Sequence, residues 1–204
     1  MPEGQIATAY IGQRMHKVIS CKTSFKLPPS IDNNERPAIH EIYAALISDE
    51  ERNNIIVQDV LQSVKAKRFP LLLTERRDHL EKMLELLSLL IKNVFVFKGG
   101  MGQKQRETLM SKLHNAPDDE EKIIIATGRY LGEGFDEARL DTLFLTLPVS
   151  WKGVLAQYAG RLHRYHDMKK EVIIYDYADL NVPMLAKMYR RRLSGYKAIG
   201  YEVE

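Results

Sequence analysis

A three-layer α/β sandwich, with a mainly parallel central sheet flanked by helices, is the fold class this sequence predicts, and two observations lead to it. Five compact apolar runs punctuate the chain: Leu71 to Leu73, Val94 to Phe97, Ile123 to Ile125, Leu143 to Leu147 and Val172 to Tyr175. Each is too short for a helix, most are β-rich, and helical or polar segments separate them. Parallel strands buried on both faces read as continuous apolar stretches, and parallel neighbours need crossovers of helix length between them.

Residues 1 to 16 are polar and glycine-containing without a period, and are expected to be a flexible leader or interdomain linker, leaving 17–204 as one domain. From Val18 the pattern alternates, with Ile19, Cys21, Thr23 and Phe25 on one side, which predicts a strand at a sheet edge ended by Pro28-Pro29. A short helix is expected over Ala38 to Ile47. A second is expected over Glu50 to Lys67, where Ile56, Val60, Leu61 and Val64 recur at helical spacing while Arg52, Asp59 and Lys65 lie off the stripe. After the first apolar run, Leu80, Met83, Leu84, Leu87 and Ile91 form the best-marked stripe, with Asp78 and Glu81 spaced as a capping box. The second run leads through Lys98-Gly99-Gly100-Met101-Gly102 into a helix over Gln103 to Leu113. Asp118-Asp119-Glu120-Glu121 reads as a solvated turn. The last helix starts near Asn181 and Pro183, carries Leu185, Met188 and Leu193 inward, and presents Arg190-Arg191-Arg192 as a basic patch that suits either a solubilising face or a nucleic-acid contact.

Composition narrows the function classes. At 45% hydrophobic and 28% charged the 204 residues describe an ordinary globular domain, and a net charge of +3 permits nucleic-acid binding without demanding it. Cys21 is the single cysteine, so no internal disulfide can form and a reducing, cytoplasmic setting is expected. No apolar run approaches the roughly 20 residues of a membrane span, so no membrane partner is expected.

Ligands of parallel α/β sheets gather beyond the carboxyl ends of the strands. The segments there are Thr74-Glu75-Arg76-Arg77, Gly99-Gly100, Thr127-Gly128-Arg129, and Pro148 with Ser150. Hydroxyls, open glycine amides and arginines hold phosphodiester oxygens without reading bases. If residues 151 to 164 are helical, Gln157, Arg161 and Arg164 fall at i, i+4 and i+7 and share a face, with Gly160 removing a side chain beside them. No carboxylate sits three or four positions before either arginine. Planar guanidinium forks suit phosphate oxygens, above all the charge that spreads over a transferring γ-phosphoryl group. Two helical arginines on one face also fit a plain solvated surface.

The stretch Gln157-Tyr158-Ala159-Gly160-Arg161-Leu162-His163-Arg164, read with Ala126-Thr127-Gly128-Arg129 to Gly132-Glu133-Gly134-Phe135-Asp136, resembles motifs VI and V of superfamily 2 helicases. The similarity is to the second, RecA-like lobe of the DEAD/DEAH and type III restriction-like branch, and it runs over most of the chain. It implies that Thr74 and Arg76, Gly99 and Gly100, and Thr127 with Gly128 and Arg129 lie along a nucleic-acid backbone. It implies that Gly134 and Asp136 lie near the nucleotide ribose. It implies that Gln157, Arg161 and Arg164 meet the nucleotide, with Arg164 as arginine finger and Arg161 as a second γ-phosphate contact. ATP with Mg²⁺ is the implied cofactor, and DNA is favoured over RNA as partner.

The chain departs from the complete engine. No Gly-x-x-x-x-Gly-Lys-[Ser/Thr] loop and no Asp-Glu box after a strand is present, so ATP and Mg²⁺ would be held mainly by an N-terminal RecA-like lobe of the same polypeptide. His163 and His166 are set aside as general base or metal ligands, because phosphoryl transfer asks chiefly for positioning and no third ligand has suitable spacing. Phe135 and Trp151 are expected to pack, with base stacking as the other reading. A stand-alone nucleic-acid or protein binding module is the alternative function.

Overall fold

The computed structural model describes residues 15–32, 37–128, 135, 137–149, 156–167 and 169–204. The elements are β1 (Met15–Lys22), α1 (Pro29–Asp32), α2 (Ile39–Ser48), α3 (Glu50–Lys65), β2 (Pro70–Thr74), α4 (Arg77–Ser88), β3 (Asn93–Phe97), α5 (Gln103–His114), β4 (Lys122–Thr127), β5 (Thr142–Leu145), α6 (Ala156–Leu162), β6 (Glu171–Ala178), α7 (Pro183–Ala198) and β7 (Glu202–Val203). The strands form one seven-stranded sheet in the order β3-β4-β2-β5-β6-β1-β7, and every pairing is parallel. Each of the five apolar runs became, or begins, a strand.

The pleat explains why those runs carry no polar alternation. Leu71, Leu73, Ile124, Ala126, Leu143 and Leu145 face one layer, where Leu113 of α5, Tyr158 and Leu162 of α6 and Tyr196 of α7 pack. Leu72, Ile123, Ile125 and Phe144 face the other, against Ile56, Val60 and Val64 of α3 and Leu80, Met83 and Leu87 of α4. A satellite core joins α2 to the start of α7 through Ile42, Leu46, Leu147 and Leu185. Among the described residues no helix is long and apolar enough to cross a membrane.

Several local expectations need correction. The first strand begins at Met15 and ends at Lys22, and it is not the edge: β7 pairs with Lys17 and Val18, and the Glu204 amide donates to the Val18 carbonyl. Helix α3 stops at Lys65, because Lys67 takes a left-handed φ of 61°. Asp78 and Glu81 do not form a capping box: the helix starts two residues earlier, with Arg76 at the N-cap, and they pair with Arg76 and Arg77 instead. Arg52, off the apolar stripe of α3, is nevertheless buried. Its Nε and Nη2 donate to Asp179 at 2.9 and 3.2 Å in the interior, where the Thr23 hydroxyl also donates to the same carboxylate. Arg192 likewise leaves the basic patch and turns inward onto Asp176, while Arg190 and Arg191 stay exposed. The acidic turn does form, but Asp118 and Glu120 pair with Arg139 and Lys92.

Candidate nucleotide and nucleic-acid site

The carboxyl ends of β2, β3 and β4 open on a cavity of about 220 Å³ lined by Glu75, Arg77, Lys98, Gly99, Thr127 and Gly128. Three of the residues expected along a nucleic-acid backbone, Gly99, Thr127 and Gly128, therefore share one concavity. Arg77 and Lys98 on its wall share the Glu81 carboxylate at 3.2 and 3.8 Å, and Glu75 lines the same cavity, so its charge is mixed. Gly100 is exposed at φ 88°, a conformation glycine adopts without strain, and it turns the chain from β3 towards α5. Arg76 is half-buried and held by Asp78. Arg129, Gly134 and Asp136 lie outside the described residues, as do Trp151 and the side chain of Gln157.

Thr74 is placed at the strand end as expected, yet its side chain is buried. Its hydroxyl accepts from the Arg76 amide at 3.3 Å and lies 3.1 Å from Nδ1 of His79. The tautomer of that histidine follows from its other side. The Asn53 amide donates to the Ile47 carbonyl, which leaves Oδ1 facing His79 Nε2 at 3.3 Å, so Nε2 carries the proton and Nδ1 accepts from Thr74. The hydroxyl orders the turn after β2 from beneath and is not offered to a phosphate.

His79 is fully buried, and burial, followed by the charge of Arg52, pushes its pKa down to about 3. In the unfolded chain it titrates near 6.5. Between those values the unfolded state binds the extra proton, so stability should be complete above about pH 6.5 and fall with acidification, by at most about 1.4 kcal/mol per pH unit for this group. Denaturant unfolding between pH 7 and 4 should show a shallower slope in His79→Asn than in the parent. Equal slopes would mean that His79 is not held neutral.

Helix α6 is anchored by the buried Tyr158, Ala159 and Leu162 and leaves Gly160 exposed. Tyr158 donates to the Gly128 carbonyl, and a Cβ on Gly128 would lie only 3.1 Å from that hydroxyl oxygen. Burial, then the Glu75 carboxylate, raises the Tyr158 pKa, so the hydroxyl keeps its donor proton. One turn on, Arg161 Nη1 donates to the Phe135 carbonyl at 2.6 Å. Phe135 is buried, edge-on to Phe97, and so packs as expected. Helix α6 thus holds both ends of the segment 128–135.

Arg164 does not lie on the helix. The α-helix ends at Leu162, and the Arg164 amide donates back to Arg161 at 3.2 Å, which places Arg164 in the turn beyond, with its side chain exposed. Lys169 meets the same turn, its Nζ donating to the Leu162 and Arg164 carbonyls at 2.8 and 2.9 Å. His163, between the two arginines, lies 2.7 Å from the Tyr201 hydroxyl and stacks on His16 at 4.3 Å. Burial, with His16 and Lys169 nearby, takes its pKa down to about 4, leaving it neutral near pH 7. It is a packing residue of the turn. Among the described residues no group of acids, histidines and cysteine is arranged to hold a metal ion.

The strand-end rule marks Glu75 and Arg77 within Thr74-Glu75-Arg76-Arg77 without giving either a role, and it leaves out Lys98, which follows the second apolar run directly and also lines the cavity. Tyr158, Lys169 and Tyr201 left no sequence signal. Their roles are set by carbonyls and rings that meet them only in the fold.

Comparison with known proteins agrees with this geometry. The helicase conserved C-terminal domain family matches residues 51–166, more than half of the chain. A protein of Invertebrate iridescent virus 6, described as "Putative helicase 161L", is 29% identical over 194 residues, which are 92% of this chain and 42% of that protein. The chain therefore spans under half the length of that relative. The crystal structure of T4 UvsW superposes with a TM-score of 0.70 at 16% identity, over 94% of this chain and 41% of UvsW. Dbp5 of S. cerevisiae, solved bound to RNA and ADP BeF3, gives 0.58 at 13% identity, over 94% of this chain and 41% of Dbp5. At such identities the two structures speak for the fold alone. The family match over residues 51–166 makes this chain a member of the helicase conserved C-terminal domain family, and its all-parallel sheet with flanking helices is the RecA-like fold of those two structures.

Proposed function

We propose that the chain supplies the second half of an ATP-driven nucleic-acid translocase, whose N-terminal lobe belongs to the same polypeptide and holds ATP and Mg²⁺. One observation carries the reading: α6 ties down the segment 128–135 through Tyr158 and Arg161 while the turn after it presents an exposed Arg164. The bound nucleotide would supply a transferable γ-phosphoryl group. Arg164 would place positive charge against it from across the lobe interface, and Arg161, with one nitrogen already on Phe135, would link that contact to the 128–135 segment. Gly134, Asp136 and Gln157 complete the proposed nucleotide side. Cationic groups are the fit test for a phosphate ligand, and the exposed guanidinium of Arg164 meets it.

The nucleic-acid backbone would run over the cavity formed by Gly99, Thr127 and Gly128, with Arg76, Gly100 and Arg129 at its margin and Thr74 bracing it from below. DNA is proposed ahead of RNA. The yeast Dbp5 structure, which contains RNA and ADP BeF3, supports a phosphate-backbone ligand and a nucleotide in a protein of this fold.

The chain alone should hydrolyse ATP no faster than buffer. Joined to its phosphate-loop lobe, it should bind fluorescent single-stranded DNA more tightly with a non-hydrolysable ATP analogue than without, by about 5- to 150-fold, with RNA run alongside. Tight binding by the chain alone, unchanged by the other lobe and nucleotide, would replace this reading with that of a stand-alone binding module.

A further inference from the structure

Lys169 is buried and sits in the connection that leads into β6, outside the helicase motifs. A buried ammonium is costly unless its donors are used. Here two of them go to carbonyls two residues apart, those of Leu162 and Arg164. The last carbonyls of a helix have no partner within it, and a cation at that end is favoured by the helix dipole as well as by the hydrogen bonds. The amide of Lys169 donates to the His166 carbonyl at 3.1 Å, which closes 166–169 into a turn and sets the ammonium beneath Arg164. The Arg164 backbone is consequently held at both its amide, by Arg161, and its carbonyl, by Lys169.

We infer that Lys169 is a positioning residue for Arg164: its ammonium ends α6 at Leu162 and fixes the turn from which the Arg164 guanidinium reaches the nucleotide. This rests on the role proposed for Arg164. The logic is geometric, since a displacement of about 1 Å at a reacting group can cost about 10²-fold in rate. Lys169 itself touches no nucleotide. It acts through two backbone oxygens, those of Leu162 and Arg164.

Two preparations test it. In the 204-residue chain, Lys169→Met should preserve cooperative unfolding while raising hydrogen exchange at the His163 and Arg164 amides by about tenfold or more, because the turn loses its tether. Unchanged exchange there overturns the inference. In the protein that includes the phosphate-loop lobe, Lys169→Met should lower kcat by about 10- to 100-fold with KM for ATP within about twofold, and Lys169→Arg should recover most of the loss. The double variant Lys169→Met/Arg164→Ala should be no slower than Arg164→Ala alone, because both act through one group. Full kcat in Lys169→Met, or additive losses in the double variant, overturns the inference. An Arg164→Ala variant with undiminished turnover would instead sink the reading of Arg164, and the exchange measurement would still decide whether Lys169 holds the turn.

Discussion

Arg164→Ala, in the protein that joins this chain to its phosphate-loop lobe, is expected to lower ATP turnover by about 10³-fold or more, as loss of an arginine finger does. That factor corresponds to about 4 kcal/mol of transition-state stabilisation. The expectation follows from where the charge sits. Arg164 is exposed, lies beyond the end of α6, and has its backbone held at both amide and carbonyl, so its base does not wander. Arg161 differs: its Nη1 is already on the Phe135 carbonyl at 2.6 Å. Arg161→Ala should therefore mix lost phosphate contact with a loosened 128–135 segment and lower affinity for nucleic acid as well as turnover. Arg164→Ala should lower kcat while leaving nucleic-acid affinity in the absence of nucleotide unchanged. Steady-state ATPase rates and fluorescence anisotropy on both variants separate the two. A kcat for Arg164→Ala within about threefold of the parent removes that residue from the mechanism.

The parallel sheet was legible because burial on both faces leaves its mark on every residue of a strand. Leu71 to Leu73 and Ile123 to Ile125 had no position left for a polar side chain. The strand order was not legible, nor was the partnership of β1 with β7, since a two-residue strand carries no periodic signal. Charge misled in a consistent way. Arg192 reads as part of a basic patch and Arg52 as merely off the apolar stripe, because their partners, Asp176 and Asp179, are separated from them by 16 and 127 positions and nothing local announces the pairing. The candidate site divided along the same line. Glycines, hydroxyls and arginines at strand ends could be picked out by position, and Gly99, Thr127 and Gly128 did come together. The inward turn of the Thr74 hydroxyl could not be foreseen, because it depends on His79 reaching it from α4 while Asn53 of α3 holds the far side of that ring. Nor could the exit of Arg164 from the helix into a turn whose carbonyls Lys169 meets.

The buried pair Arg192–Asp176 is the second place where a single change should have a large effect, this time on stability. Arg192 Nε and Nη2 donate to Asp176 at 2.7 and 2.8 Å, the Tyr196 hydroxyl donates to the same carboxylate at 2.8 Å, and the two charged side chains are 2% and 1% exposed. Such a pair contributes little net stability compared with well-packed apolar side chains, because bringing both charges out of water costs about as much as their attraction returns. Removing one partner is different. Asp176→Ala leaves a guanidinium buried without its counter-charge and a tyrosine hydroxyl without its acceptor, and should destabilise the fold by about 3–5 kcal/mol. Asp176→Leu combined with Arg192→Met and Tyr196→Phe replaces the whole network with apolar groups and should recover most of that loss. Denaturant unfolding followed by far-UV circular dichroism reads both: the single variant should move the midpoint at constant m, and the triple variant should move it back. The same experiment bears on the site, because Arg192 Nη1 reaches the Val149 carbonyl at 3.5 Å, the last described residue before α6. A single variant costing under about 1 kcal/mol would mean that water reaches Arg192 and screens it, and a triple variant no more stable than the single one would mean that the polar network itself, rather than the unpaired charge, sets the packing of α7 on the sheet.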